Sequence, residues 1–147
     1  MKTLSYGWRL VIRMSTIRWT EQITICALHS LENVDLSNQE NQLLYGDCYQ
    51  KHGHDYHVQV VMECSVNEKS GIALDRSKLE LILKENLIKQ FNGHFLNQSF
   101  DCTSGEALSV YFFKLMKPKI EKGLVGARLM SLHIQETRKN WFSYSNL

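Results

Sequence analysis

The alternation of side chains between His54 and Cys64 restricts the fold of this chain more than any other stretch of its sequence. Side chains of a β-strand point alternately to its two faces, so residues two positions apart share a face. The following residues would share one face: His54, Tyr56, Val58, Val60, Met62 and Cys64. The other face would be polar apart from Val61. The pattern predicts a strand that buries one face and leaves the other in polar surroundings.

Patterns of helix capping predict helices in the middle of the chain. Residues 77–80 and 103–106 each place a hydroxyl residue three positions before a glutamate, which is the capping box. Behind the first box, apolar residues recur every four positions, as follows: Leu79, Leu83, Leu87 and Phe91. We expect Pro118 and Gly123 to mark the end of the second helix, and a third box at 37–40 to open a short helical turn.

Strands are expected towards both ends of the chain. Residues 15–28 mix isoleucine, tryptophan and threonine, and His29 would end that strand. The following residues alternate on one face near the C-terminus: Met130, Leu132, Ile134 and Glu136. With a last short strand at 141–144, the element order indicates an α+β fold, an antiparallel four-stranded sheet with two helices on one face. The sheet edges have no evident cover, so assembly with further copies would hide them.

Composition and charge argue against several classes of function. The chain is 44% hydrophobic and 22% charged, as in an ordinary globular domain. Its net charge is +2 without a basic stripe, so no nucleic-acid partner is expected. No apolar run is long enough for a signal peptide or a membrane span, which predicts a cytoplasmic protein with no membrane association. Four cysteines without a C-x-x-C pair are expected to be free thiols. We divide the chain into an N-terminal extension, residues 1–13, and a single domain, residues 14–147.

Three histidines are candidates for a metal site. His52 and His54 are two positions apart at the start of the predicted strand, so their imidazoles point the same way. His29 ends the strand that we expect beside it. Three neutral imidazoles with an open fourth position form the ligand set of catalytic zinc sites. The alternative is a chance proximity of strand-end histidines, because H-x-H is short and frequent.

Four other residues have both a functional and an ordinary structural interpretation. Cys48, four residues before His52, is either a buried free cysteine or a thiolate that acts as base or nucleophile. His94 falls in an expected loop, where histidines are usually only solvated. Glu106 fits the reciprocal cap of its helix, a role that needs no ligand. Glu136 continues an apolar face, so its carboxylate needs a partner such as a ligand with paired N–H donors.

Five motifs follow one another along the chain in a recognisable order. They are ICALHSL, which contains His29; LSNQENQLLYGDC; CYQKHGHDYHVQV; HFLN with the helix start at Ser104; and IQET, which contains Glu136. Together they resemble the 6-pyruvoyl- and 6-carboxytetrahydropterin synthases, over the chain from about Met14 to Tyr144. The four-residue offset from Cys48 to His52 is closer to the carboxy branch, which serves queuosine biosynthesis.

The resemblance implies a subunit of the tunnelling fold (T-fold) that assembles into a barrel. The assembly would be a homohexamer, a dimer of trimers, with active sites between subunits. His29, His52 and His54 would hold Zn²⁺, which grips the side-chain hydroxyls of 7,8-dihydroneopterin triphosphate and acidifies the neighbouring C–H. Cys48 would remove that proton, and His94 would act as the partner acid or base. The residues that would bind the pterin are Glu136, Glu106 and Ser104.

One departure from the family concerns the residue before His94. The family has an orienting aspartate there, and this chain has Gly93, which can neither fix an imidazole tautomer nor stabilise its charge. Asp55 and Asp101 are the acids nearest in sequence that could replace it.

Three hypotheses about function follow. The leading one is a lyase that makes 6-carboxy-5,6,7,8-tetrahydropterin for queuosine biosynthesis. The alternatives are the 6-pyruvoyltetrahydropterin synthase of the biopterin route and a degenerate pterin-binding paralogue with weak activity. Analysis of the product separates the first two, and ligand binding without product formation would identify the third.

Overall fold

The computed structural model describes residues 15–146, which form one sheet with its helices on one face. The strands are β1 (Thr16–His29), β2 (His52–Ser65), β3 (Ala127–Gln135) and β4 (Trp141–Ser145). The helices are α1 (Asn38–Tyr45), α2 (Arg76–Leu83), α3 (Lys89–Phe91) and α4 (Gly105–Gly123). A π-helical segment, Lys84–Ile88, joins α2 to α3, and 3₁₀ turns span Gly46–Tyr49 and Leu96–Gln98. The expected extension, residues 1–13, lies outside the described residues. The predicted α+β fold is confirmed.

The sheet pairs each strand with its neighbour in sequence. Its order is β1-β2-β3-β4, and all three pairings are antiparallel. β1 and β2 pair along their whole length, from Thr16 opposite Ser65 to His29 opposite His52. Every second residue of β2 from Tyr56 to its end is buried, as the alternation predicted. The helices pack on this buried face, so the other face of the sheet carries the polar side chains.

A β-bulge in β3 overturns one detail of the predicted pattern. Val61 pairs with Ser131, whereas Met62 pairs with Leu129, which leaves Met130 as an extra residue. The buried residues of β3 are Ala127, Leu129, Leu132 and Ile134. The prediction that Met130 continues the buried row is therefore wrong, because one extra residue reverses the alternation along a strand.

The π-helical segment keeps one row of side chains in the core. The row consists of Leu79, Leu83, Leu87 and Phe91, which are all buried as predicted. An α-helix repeats every 3.6 residues, so a strict period of four drifts around the helix by about 40° at each repeat. The wider turns of Lys84–Ile88 cancel that drift. All four side chains can therefore face the sheet.

Two of the three predicted capping boxes begin their helices at other residues. The N-cap of α2 is Asp75 rather than Ser77, since an ionised acceptor suits the positive end of a helix. The N-cap of α4 is Ser104, so the prediction that Glu106 is the reciprocal cap is wrong. The box at 37–40 is confirmed, with both of its reciprocal hydrogen bonds present.

Helix α4 ends at Gly123, as predicted, but it runs through Pro118 rather than stopping there. Proline removes one backbone hydrogen bond from a helix and disturbs the preceding turn. Met116 and Ile120, on either side of it, are fully buried. Their apolar contacts with the core hold the helix together across the missing bond.

Among the described residues, no helix is long and apolar enough to cross a membrane.

The loop after α3 lies along the outer edge of β1. The N–H of Gly93 donates to the carbonyl of Cys26 at 2.6 Å, and the N–H of Leu28 donates to the carbonyl of His94 at 2.9 Å. The Asn92 side chain accepts from the Cys26 N–H at 2.9 Å. The C-terminal end of this sheet edge is thus covered by the chain itself.

Candidate metal centre

β1 and β2 bring three histidines together at one end of the sheet. His29 lies opposite His52 in the strand register, and His54 follows on the same face of β2. One ring nitrogen from each histidine lies within 4.8 Å of those of the other two. His29 is buried, and the other two are half-buried. The fold therefore assembles the three side chains that the sequence proposed as metal ligands.

Backbone hydrogen bonds determine which ring nitrogens face the centre of this cluster. Nδ1 of His29 lies 2.8 Å from the carbonyl oxygen of Thr103, and Nδ1 of His52 lies 2.7 Å from that of Gln50. A carbonyl oxygen only accepts, so both Nδ1 atoms carry a proton and both Nε2 atoms of the neutral rings carry a lone pair. These Nε2 atoms are 3.0 Å apart. Two lone pairs at this distance repel unless a proton or a metal cation lies between them.

Burial disfavours a proton between the Nε2 atoms of His29 and His52. It lowers the pKa of His29 to about 4, against an ordinary value of 6.5, although the hydrogen bond to Thr103 partly opposes the shift. Burial also lowers the pKa of His54, and the charge of a protonated His52 lowers it further. The rings of His29 and His54 are therefore neutral near pH 7, which is the form that binds metals. The donor set fits a metal cation held by three imidazoles, with the backbone carbonyls orienting two of the rings.

Glu136 and Tyr56 border the histidine cluster. Oε1 of Glu136 lies 3.7 Å from Nε2 of His29 and 4.0 Å from Nε2 of His54. Burial is the main cause that raises the pKa of Glu136. The ring of Tyr56 stands edge-on to the same two imidazoles, at centroid distances of 5.8 and 5.4 Å. The predicted substrate residue Glu136 therefore lies beside the candidate metal ligands.

The start of α4 lies next to this region. The carbonyl that orients His29 belongs to Thr103, the residue before the N-cap Ser104. Ser104 caps the helix by accepting a backbone N–H of its first turn. The charge of Glu106 raises the pKa of Glu136, so the two carboxylates lie close enough to repel. The structure thus gathers all three residues that were expected to bind a pterin near the cluster.

Cys48 and His94 lie outside the cluster of ligand atoms in the described chain. Cys48 is an exposed thiol on the turn Gly46–Tyr49, so its interpretation as a buried free cysteine is wrong. Its carbonyl accepts the N–H of Leu31 at 2.8 Å, which fastens this turn just beyond His29. His94 is exposed at the outer edge of β1. A single subunit therefore places these two side chains at its surface rather than at the metal ligands.

A cavity of about 380 Å³ lies beside the cluster, and Gly93, Asp55 and His54 are among the residues that line it. Of the two acids that the sequence offered as replacements for the family aspartate, Asp55 shares this cavity with Gly93. Asp101 lines a different cavity. Among the described residues that line this cavity, Asp55 is the acid.

Some contributors to the site could not be identified from the sequence. Thr103 and Gln50 act through backbone carbonyls, which every residue possesses, so their side chains carry no signal. Tyr56 belonged to the apolar row of β2 and gave no reason to single it out. His57 and His133, the other histidines of β2 and β3, face away from the cluster, since both bond to hydroxyl groups on the polar face of the sheet.

Comparison with known proteins places these features in a family. Residues 18–146 match the model of a family described as 6-pyruvoyl tetrahydropterin synthase. A 6-pyruvoyl tetrahydrobiopterin synthase of Dictyostelium discoideum is 26% identical over 134 residues, covering 88% of this chain and 96% of the relative. A putative 6-pyruvoyl tetrahydrobiopterin synthase of Caenorhabditis elegans is 29% identical over 140 residues, covering 91% and 98%.

Solved structures agree on the fold. A Caenorhabditis elegans 6-pyruvoyl tetrahydropterin synthase superposes with a TM-score of 0.80 at 24% identity, covering 92% of this chain and 99% of that one. A Plasmodium falciparum 6-pyruvoyl tetrahydropterin synthase gives a TM-score of 0.60 at 13% identity, covering 90% and 98%. At these identities the likeness establishes the fold of the described chain, the T-fold that the sequence motifs implied.

Proposed function

Because the chain belongs to the 6-pyruvoyl tetrahydropterin synthase family, a family of lyases that act on pterins, we propose that it is a zinc-dependent 6-pyruvoyltetrahydropterin synthase. Its substrate is 7,8-dihydroneopterin triphosphate. The prediction of a 6-carboxy product rested on one feature of the sequence, the four-residue offset from Cys48 to His52. The similarity to curated 6-pyruvoyl synthases extends over most of the chain and supports the pyruvoyl product better.

The observation that carries this proposal is the 3.0 Å approach of the Nε2 atoms of His29 and His52, whose Nδ1 atoms both bond to backbone carbonyls. Nitrogen donors in neutral imidazoles suit Zn²⁺, and the half-buried third histidine leaves the cluster accessible on one side. When bound, zinc would supply a Lewis acid for the hydroxyls of the substrate side chain. Metal analysis of purified protein should find about one zinc per chain, bound by ring nitrogens at roughly 2.0–2.1 Å. Protein that holds no zinc would contradict this part of the proposal.

The remaining chemistry falls to the side chains around the cluster. Glu136 accepts two N–H groups from the amino-pyrimidine edge of the pterin, and Ser104 and Glu106 lie beside that edge. Cys48, as thiolate, removes the proton from the carbon that bears a side-chain hydroxyl, and the triphosphate then leaves. His94 acts as the partner acid or base.

Assembly would supply what one subunit lacks. His94 and Cys48 are exposed and lie apart from the ligand atoms, as expected if each active site forms between subunits. Within residues 15–146, much of the outer edge of β1 and the edge at β4 are available for pairing with other copies. We propose a homohexamer, a dimer of trimers, whose sheets continue from subunit to subunit into a barrel. A monodisperse monomer at micromolar concentration would contradict it.

Turnover is tested by incubating the protein with 7,8-dihydroneopterin triphosphate and identifying the product by mass spectrometry. We expect 6-pyruvoyltetrahydropterin, and we expect Cys48→Ala to abolish its formation. Cys64→Ala is the matched control, because Cys64 is a thiol at the opposite end of β2 from the histidines. The 6-carboxy product would instead restore the hypothesis drawn from the sequence. Equal turnover in both cysteine variants would remove Cys48 from the mechanism.

Pterin binding is tested by comparing two carboxylates. Glu136→Gln should weaken pterin binding more than Glu106→Gln, because Glu136 is the more buried and a lost charge-assisted pair is costlier there. The affinity is measured by fluorescence titration with 7,8-dihydroneopterin. If neither change alters the affinity, the pterin binds elsewhere.

A further inference from the structure

Tyr56 presents a buried hydroxyl group without a partner. The residue is 1% exposed and begins the buried row of β2, directly after His54 on the same face. Among buried side-chain nitrogen and oxygen atoms of residues 15–146, the Tyr56 hydroxyl oxygen (Oη) is the one that makes no hydrogen bond. Buried polar groups in folded proteins are nearly always paired. The hydroxyl therefore requires an explanation beyond the contacts that it makes in this structure.

Packing alone does not explain this hydroxyl. The aromatic ring of Tyr56 supplies the contacts with His29 and His54, and a phenylalanine ring would supply the same ones. An unpaired buried hydroxyl destabilises a fold by about 1–3 kcal/mol. A tyrosine at this position is therefore worse for the isolated fold than a phenylalanine, unless its hydroxyl finds a partner in another state of the protein.

Glu136 offers a hydrogen-bond acceptor in this region. Its carboxylate and the ring of Tyr56 lie against the same two imidazoles, those of His29 and His54, so the two residues share one region. The negative charge of Glu136 accordingly contributes, after burial, to raising the pKa of Tyr56. The same carboxylate lies 3.7 Å from Nε2 of His29 and 4.0 Å from Nε2 of His54. Nε2 of His29 has no proton to donate, because its Nδ1 donates to Thr103.

The other groups around Glu136 do not fill the role of a buried donor. Asn140, which lowers the pKa of this carboxylate, lies on the exposed turn before β4. Glu106 repels it, and His52 attracts it only when protonated. Of the groups that face Glu136, Tyr56 alone among the described residues combines a free O–H with full burial.

We propose that Tyr56 is a positioning residue for Glu136, donating a hydrogen bond from its hydroxyl to the carboxylate when a pterin occupies the site. The bond holds the carboxylate in the orientation that meets the paired N–H groups of the pterin. A neutral O–H donor to a carboxylate is a strong bond in a water-poor pocket. This role rests on the proposed function, because it gives Tyr56 no contact with the substrate and acts through the pterin anchor.

The experiment compares Tyr56→Phe with wild type in binding 7,8-dihydroneopterin. The variant keeps the ring and loses one hydroxyl, so we expect the melting temperature to hold or rise while the dissociation constant increases about tenfold. In turnover, KM should rise with kcat changed less than threefold, since the bond serves binding. Tyr144→Phe is the matched control, a tyrosine that packs on Phe113 with ring centroids 5.1 Å apart. It should leave the affinity unchanged.

A second comparison separates positioning from a general effect on the fold. In a Glu136→Gln background, Tyr56→Phe should cause less than a twofold further loss of affinity, because the two changes break the same arrangement. A tenfold loss in that background, or an affinity in Tyr56→Phe within twofold of wild type, would overturn the role proposed for Tyr56 while leaving the proposed function standing. Wild-type protein that binds no pterin would overturn both.

Discussion

Gly93→Asp should convert this protein into a faster catalyst. Gly93 has a φ of +79°, which non-glycine residues rarely adopt, and aspartate is among the better tolerated ones there. A Cβ at this position would have no atom within 4 Å, so the new side chain has room. The left-handed conformation costs about 1–2 kcal/mol, and the smaller freedom of the unfolded chain offsets about 0.4–1 kcal/mol of this. We expect the melting temperature to fall by about 6 °C or less.

The gain in rate comes from a carboxylate beside His94. In a Ser-His-Asp triad, the orienting aspartate is worth about 10⁴ in rate, so an increase of about tenfold up to that limit is expected here. Gly93→Asn is the matched control, because asparagine suffers similar strain and adds bulk without charge. The assay is steady-state turnover of 7,8-dihydroneopterin triphosphate, with the product identified by mass spectrometry. Asparagine and aspartate raising the rate equally would show that backbone rigidity, not the carboxylate, was missing. Turnover undetectable in wild type and Gly93→Asp alike would refute the enzyme and favour a pterin-binding paralogue.

Three further predictions concern the stability of the fold. Leu87→Ala should lower the free energy of unfolding by about 2–5 kcal/mol in urea denaturation, because it opens a cavity under the π-helical segment. The control Leu81→Ala, at an exposed position, should lower it by under 1 kcal/mol. Equal losses in the two variants would contradict the burial of Leu87. Gly105→Ala should destabilise by about 1–3 kcal/mol, since its Cβ would overlap the ring of Phe142, and an unchanged melting temperature would refute that contact. In metal-free protein, the lowered pKa of His29 favours the neutral ring in the folded state, so its contribution is present above pH 6.5 and is lost as the pH falls towards 4. That contribution is about 3 kcal/mol. Urea denaturation should give a lower free energy of unfolding at pH 5 than at pH 7.5, by part of this amount. Equal free energies at the two pH values would contradict the burial of the His29 ring.

The sequence predicted those features of the fold that follow from the spacing of apolar residues along the chain. The alternation in β2 and the placement of His29 on the strand beside it followed from a period of two and from the expectation that consecutive strands are neighbours. The bulge at Met130 did not follow, because it depends on how β2 and β3 fit each other rather than on either sequence. Pro118 likewise shows a local helix breaker overruled by burial in the core.

The site divides in a similar way. The three histidines and Glu136 could be singled out as candidates because of the parity or the apolar surroundings of their positions, and the family resemblance supplied their expected roles. The carbonyls of Thr103 and Gln50 orient the rings of His29 and His52. Thr103 is far from His29 in sequence, and a backbone carbonyl leaves no mark on the identity of either residue. The docking of Gly93 on β1 is also non-local, since it joins residues 67 positions apart. No periodicity reports such a contact.

The π-helical segment limits how this chain can vary in length. Such a segment is equivalent to an α-helix with one inserted residue. Each residue of an α-helix turns the chain by about 100° and advances it by 1.5 Å. Deleting Lys84, although its side chain is exposed, would restore a regular helix and swing Asn92 and Gly93 away from Cys26. Lys84 can therefore be substituted by other residues, but its deletion would detach from β1 the loop that carries His94.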